Sequence, residues 1–228
     1  MNLKGRILEL PIIKTWKKNQ QMRRFKGSEK YWEERYRSQG NSGSGSYDHL
    51  AEFKAEFLND FVKQNQVASV IEFGSGDGNQ LKLANYPRYI GLDVSPTAVR
   101  MCEDLFKNDD SKSFFLYNSL AFCDRSGIFK AELSLSLDVL FHLVEYEIFS
   151  AYLMHLFQSS SRYVIIYASD YEQEQEPVYR HEHRRNFSRF VAEHCPGWKL
   201  KEVVRNKYPV ATYGQKGSLS DFFIYEKA

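Results

Sequence analysis

The chain has 228 residues, 43% hydrophobic and 26% charged, which suffices for one domain with a packed core and is short for two. Its 15 Tyr, 17 Phe and 3 Trp exclude disorder over most of the length, and no run approaches the ~18 apolar residues of a membrane span. The formal net charge of +2 hides an asymmetry: residues 1–37 hold 11 Lys/Arg against 4 Asp/Glu, and the remainder is net acidic. A basic arm ahead of an acidic body does not fit a nucleic-acid-binding face, whose basic charge spreads over a folded surface.

Residues 1–27 read as the basic arm, broken by Pro11, with no signal-peptide pattern. Its bland reading is a partly ordered amphipathic segment, and the other is a docking arm for a membrane surface, a partner or a second copy in a homo-oligomer. Residues 28–65 are expected to form a helical cap. Ser28 is placed to cap a helix over 28–38 whose Tyr31, Trp32, Arg35 and Tyr36 share one side. The run Gly40–Ser46 is poor in Cβ atoms and suits either a plain linker or close backbone approach to a ligand. Leu50, Phe53, Phe57, Leu58, Phe61 and Val62 then recur at helical spacing.

Over 66–228 strand and helix patterns alternate. Strands are expected at Val67–Phe73, Tyr89–Leu92, Phe114–Tyr117, Leu133–Leu137, Tyr163–Tyr167, Trp198–Val204 and Phe222–Tyr225, with helices at Pro96–Phe106, Glu145–Phe157 and Arg184–His194. This order predicts an α/β fold with a mostly parallel sheet, helices on both faces and the last two strands paired antiparallel. Cys102, Cys123 and Cys195 are an odd set without metal-ligand spacing, which fits a reducing, cytoplasmic setting.

The sharpest motif is Val70-Ile71-Glu72-Phe73-Gly74-Ser75-Gly76-Asp77-Gly78, a glycine turn at the carboxyl end of a strand, where parallel sheets bind ligands. The spacing is G-x-G-x-G, so the dinucleotide fingerprint is not met, and no Gly-Lys-Ser/Thr follows to make a phosphate loop. Glu72 in the strand end suits a cationic or amine-bearing ligand.

This motif resembles motif I of class I S-adenosylmethionine-dependent methyltransferases. Asp93, ending Tyr89-Ile90-Gly91-Leu92-Asp93 and 19 positions past Gly74, is similar to the family's ribose-binding acid, a carboxylate able to accept two hydroxyl hydrogen bonds. The resemblance implies a Rossmann-like seven-stranded fold with an antiparallel last strand and S-adenosyl-L-methionine as cofactor. It implies that Glu72 anchors the glycine loop or faces the methionine amine, and that Gly74, Ser75, Gly76 and Gly78 line the cofactor. Val94 would pack on adenine, Asn118 or Ser119 would read its amino group, and Asp138 would flank the transferred methyl. The segment Tyr31–Tyr47 also resembles a bacterial subgroup associated with surface-polysaccharide and glycan biosynthesis.

For the acceptor, His142, four residues after Asp138, is the leading general base, with Asp138, Asp170 and His181 as further catalytic candidates at strand ends. Arg35, Tyr36, His183 and Arg184 are expected to hold the acceptor, a small molecule and an anionic one if the arginines clamp it. His181 and His183 would share one face of an extended loop, but no third ligand at a convincing spacing appears, so no metal is expected. The resulting expectation is methyl transfer to a hydroxyl of a sugar or sugar-phosphate intermediate in glycan or capsule biosynthesis. The alternatives are N-methylation of a small amine or protein, and a silent cofactor-binding partner. Nucleic acid is not an expected acceptor, since no Asn/Asp-Pro-Pro-aromatic motif is present.

Overall fold

The computed structural model describes residues 25–174 and 179–228, so most of the expected basic arm lies outside the described residues. The strands are β1 Val70–Phe73, β2 Tyr89–Asp93, β3 Lys112–Leu116, β4 Ala131–Leu137, β5 Ser160–Ala168, β6 Trp198–Val204 and β7 Asp221–Lys227. The helices are α1 Ser28–Arg37, α2 Asp48–Gln64, α3 Pro96–Leu105, α4 Tyr146–Gln158, α5 Phe187–His194 and the single turn α6 Val210–Tyr213.

The strands make one sheet in the order β3-β2-β1-β4-β5-β7-β6. β3, β2, β1, β4 and β5 pair in parallel, and β7 runs antiparallel between β5 and β6. Strand order reverses between β1 and β4, and a crevice opens there at the carboxyl ends.

Alternation along the strands divides the core. Ile71, Phe73, Val164 and Ile166 point to the face covered by Tyr152 and Leu156 of α4 and Phe187 and Phe190 of α5. Val70, Leu133, Leu135 and Ile165 point to the opposite face, covered by Leu58 and Val62 of α2. Both faces are buried, which is why these strands read as continuous apolar runs.

The expected elements all form, with shifted ends. β1 begins at Val70 rather than Val67, β3 at Lys112 rather than Phe114, and α5 at Phe187 rather than Arg184. Behind the glycine turn there is only a 3₁₀ turn, Gln80–Leu83. Ser28 does not cap α1: Gly27, at φ 110°, holds the N-cap position. The Ser28 hydroxyl instead donates to Glu145 Oε2 at 2.6 Å and accepts from the Val144 amide at 3.1 Å, tying α1 to the start of α4. At the head of α3 the cap is local: Ser95 accepts from the Ala98 amide ahead of Pro96. Among the described residues no helix is long and apolar enough to cross a membrane.

Candidate active site

The crevice is a cavity floored by the β1 turn and roofed by the N-terminal cap. Glu72, Gly74, Gly76, Asp93, Asp138 and His142 line it from the sheet side, and Trp32, Tyr36, Ser42 and Ser46 from the cap.

The glycine turn is shaped from two directions. Asp93 Oδ2 accepts from the Gly76 amide at 2.8 Å, and its Oδ1 from the Ser95 amide at 2.9 Å. Burial raises the Asp93 carboxyl to about 6 despite those bonds, with Asp77 adding to the rise. From above, the Gly40–Ser46 loop closes on the turn. The Ser42 amide donates to Asp77 Oδ2 at 2.9 Å, and the Asp77 amide donates back to Ser42 Oγ at 3.0 Å. Tyr47 adds its hydroxyl to Asp77 Oδ2 at 2.7 Å. Burial alone would raise the Asp77 carboxyl, but these bonds and one from the Asn79 amide hold it below its ordinary value.

Glycine is required at Gly76: φ is 58°, and a Cβ would stand 2.3 Å from Ser42 Oγ and 3.1 Å from the Tyr36 hydroxyl oxygen. It is required at Gly45 by the same close approach, since a Cβ there would stand 2.6 Å from Asp138 Oδ2. The Gly/Ser run is therefore packed against the strand ends rather than acting as a spacer.

Glu72 is buried at the cavity floor and accepts from the Tyr89 hydroxyl at 2.7 Å. Burial pushes its carboxyl up to about 7, against the opposing pull of the Tyr89 bond and Lys54. Asp138, at φ 58°, closes the far end. Lys54, fully buried on α2, donates to Asp138 Oδ2 at 2.8 Å, and Ser220 Oγ donates to Oδ1 at 2.8 Å. Lys54 carries no motif, and nothing in the sequence pairs it with a residue 84 positions away.

Beyond Asp138 lies a second cavity, which shares Trp32, Ser42, Asp138 and His142 with the first. It adds Tyr31, Arg35, His181, Glu182 and Arg184. The Arg35 Nε donates to the Asn41 carbonyl at 2.6 Å, and Arg184 lies over the Phe141 ring with its Nη2 on Glu182 Oε2 at 3.1 Å. Arg184 Nε and the Ser169 hydroxyl are buried there without a hydrogen-bond partner.

Several of the expected site residues stand in other surroundings. Asp170 lines neither cavity; its Oδ1 accepts from the Ser188 amide at 3.0 Å, serving the first turn of α5. Asn118 is also absent from the cofactor-type cavity, because its Oδ1 closes a local turn by accepting from Leu120 and Ala121; Ser119 lines the cavity instead. Gly78 faces Phe106, Cys102 and Leu105 and makes room for α3. His183 lines neither cavity, and its amide donates to the Phe141 carbonyl. His142 is well placed but weakly basic: burial, and after it His181, Arg35 and Arg184, lower it to about 3, the bond to the His181 carbonyl opposing them. It is therefore unprotonated throughout the neutral range rather than poised within it.

No family model and no curated protein matches the sequence. Solved structures match the fold. A bacterial Hen1 methyltransferase domain, CtHen1-C, aligns at TM-score 0.61 and 19% identity over 79% of this chain and 100% of that one. The fold is a methyltransferase fold. N-methyltransferase NodS from Bradyrhizobium japonicum WM9, in complex with S-adenosyl-L-homocysteine, aligns at TM-score 0.60 and 16% identity, over 78% of this chain and 87% of that one. Magnesium protoporphyrin IX methyltransferase from Synechocystis PCC 6803, with bound S-adenosylhomocysteine, aligns at 0.55 and 14%, over 78% and 83%.

Proposed function

We propose that this protein is an S-adenosylmethionine-dependent methyltransferase acting on a hydroxyl of a small-molecule acceptor. The acceptor class we infer is a sugar or sugar-phosphate intermediate of glycan or capsule biosynthesis. The observation that carries the reading is the junction of two unlike cavities at Asp138 and His142. One has buried carboxylates at its floor, suited to a cofactor bearing a sulfonium, an ammonium and ribose hydroxyls. The other has aromatic walls and two arginines, suited to the apolar face of a sugar ring and to a phosphate.

Each side chain has a role in this reading. Asp93 takes the ribose hydroxyls, Glu72 faces the cationic end across the glycine turn, and Val94 and Ser119 border the adenine. Trp32 and Tyr36 exclude water from above. Asp138, fixed by Lys54 and Ser220, sets the wall beside the transferred methyl. The acceptor oxygen attacks the methyl carbon in line as the carbon–sulfur bond breaks, and S-adenosylhomocysteine leaves. The hydroxyl proton departs once the oxygen has become oxonium-like and strongly acidic, so even the weakly basic, unprotonated His142 can accept it and pass it to solvent.

The weak basicity of His142 also favours a second reading, in which the acceptor is a neutral amine and no base is needed. The two readings are separated by incubating the protein with methyl-labelled cofactor and matched sugar phosphates and amino sugars. Label in an ether supports the first and label in a methylamine the second; label in neither overturns both.

A further inference from the structure

His142, His181 and Glu182 converge where the two cavities meet, although 39 positions separate His142 from His181 in sequence. One ligand-type atom from each lies within 4.8 Å of the other two. The sequence pairs His181 with His183; the fold instead gives His181 two neighbours able to share an ion.

The surroundings have the form of a metal site's outer contacts. His142 Nδ1 stands 3.1 Å from the His181 carbonyl oxygen. A carbonyl can only accept, so Nδ1 carries the proton and Nε2 keeps its lone pair, the arrangement found for metal-bound imidazoles. Glu182 is held through Oε2 by Arg184, which leaves Oε1 toward His181 Nε2, at 3.8 Å. His181 is fixed by stacking on Tyr31, with centroids 4.3 Å apart at 11°, and Trp32 packs edge-on to His142 at 4.8 Å. The charged groups facing the trio are Arg35, Arg184 and Asp138. Arg35 is engaged by Asn41, Arg184 by Glu182 and Asp138 by Lys54.

We propose that His142, His181 and Glu182 bind one divalent transition-metal ion of the zinc type, with its remaining coordination directed to water or an acceptor oxygen. Two nitrogens and one oxygen select such an ion over magnesium or calcium, which take oxygen ligands. Tetrahedral ligands at about 2.0–2.2 Å stand roughly 3.4 Å apart, so the trio closes by small side-chain rotations. Binding of the ion stands independently of the proposed reaction; its use rests on that reading. With the ion bound, the His142 lone pair would be taken, and the ion would replace His142 in the proton step by making the acceptor hydroxyl acidic enough to lose its proton to solvent.

The test is titration of the untagged, metal-stripped full chain with Co²⁺, followed by visible absorption, and with Zn²⁺ by competition against a chromophoric chelator. One ion per chain is expected, with a Co²⁺ spectrum of nitrogen ligation and affinity loosened at least about 100-fold in His181→Ala and in Glu182→Gln. His194→Ala, remote from the trio, should bind as the parent does. Retained S-adenosylhomocysteine binding in the variants shows that they are folded, and failure of cofactor binding alone would count against the proposed function and not against the ion. No saturable binding to the parent chain, or equal binding by parent and the His181→Ala/Glu182→Gln double variant, overturns the proposal.

Discussion

Ser42 and Asp77 exchange two hydrogen bonds, amide to carboxylate at 2.9 Å and amide to hydroxyl at 3.0 Å. This pairing joins the Gly/Ser loop of the cap to the glycine turn after β1, and Tyr36 and Tyr47 extend it on either side. The cap and the cofactor-type cavity are thus one structure.

Asp77→Ala removes the acceptor for three partly buried donors. Bonds to a charged group contribute about 1.5–3 kcal/mol, so S-adenosylhomocysteine affinity should fall at least about 10-fold, with a lowered melting temperature. Ser42→Ala should do the same more weakly. Calorimetric titration checks both, and unchanged affinity in Asp77→Ala would separate the cap from cofactor binding.

Gly76→Ala should be disproportionately harmful. The added methyl meets Ser42 Oγ and the Tyr36 hydroxyl in a left-handed backbone, a strain of order 1–3 kcal/mol before the loop is displaced. Gly197→Ala is the control, because no atom lies within 4 Å of its added Cβ. Melting curves of the two variants should differ clearly, and coincident curves would contradict the packing described.

Lys54→Met strands the Asp138 carboxylate without its cation. Breaking a buried pair on one side costs about 3–5 kcal/mol, and Lys54→Met/Asp138→Asn should recover much of it. Chemical denaturation of the single and double variants measures the difference. A double variant less stable than the single would mean that Asp138 is held by something other than Lys54.

Much of this arrangement is legible in the sequence, because strand alternation and the glycine turn are local. The succession of strands and helices along the chain follows from residues close together in it. What is not legible is whatever depends on distant segments meeting. The Lys54–Asp138 pair spans 84 positions, and the approach of His142 to His181 spans 39. Ser28 reads as a cap because its local pattern is right, yet Glu145, 117 positions on, claims its side chain. Asp170 and Asn118 sit at the expected strand ends, but the Ser188 amide, 18 positions on, occupies the Asp170 carboxylate and the nearby Leu120 and Ala121 amides occupy the Asn118 side-chain oxygen.

The Glu72 carboxyl sets a pH dependence of stability. Burial raises it in the folded chain from an ordinary 4.5 to about 7. The folded state therefore binds more protons than the unfolded state between those values. Its contribution is fully present below about 4.5 and lost as pH rises through about 7. The stability of the ligand-free protein should fall between about pH 4.5 and 7, and Glu72→Gln should fall less steeply. Parallel stability curves for the two would contradict an uncharged, buried Glu72.

The central claim is that the cavity between the β1 turn and the cap holds S-adenosylmethionine. Isothermal titration of the full chain with S-adenosylmethionine tests it most directly. One site per chain is predicted in the parent, with at least about 10-fold weaker binding in Asp93→Ala, where hydrogen bonds to a charged group are lost. Absence of binding by the folded parent chain, or unaltered binding by Asp93→Ala, would contradict it.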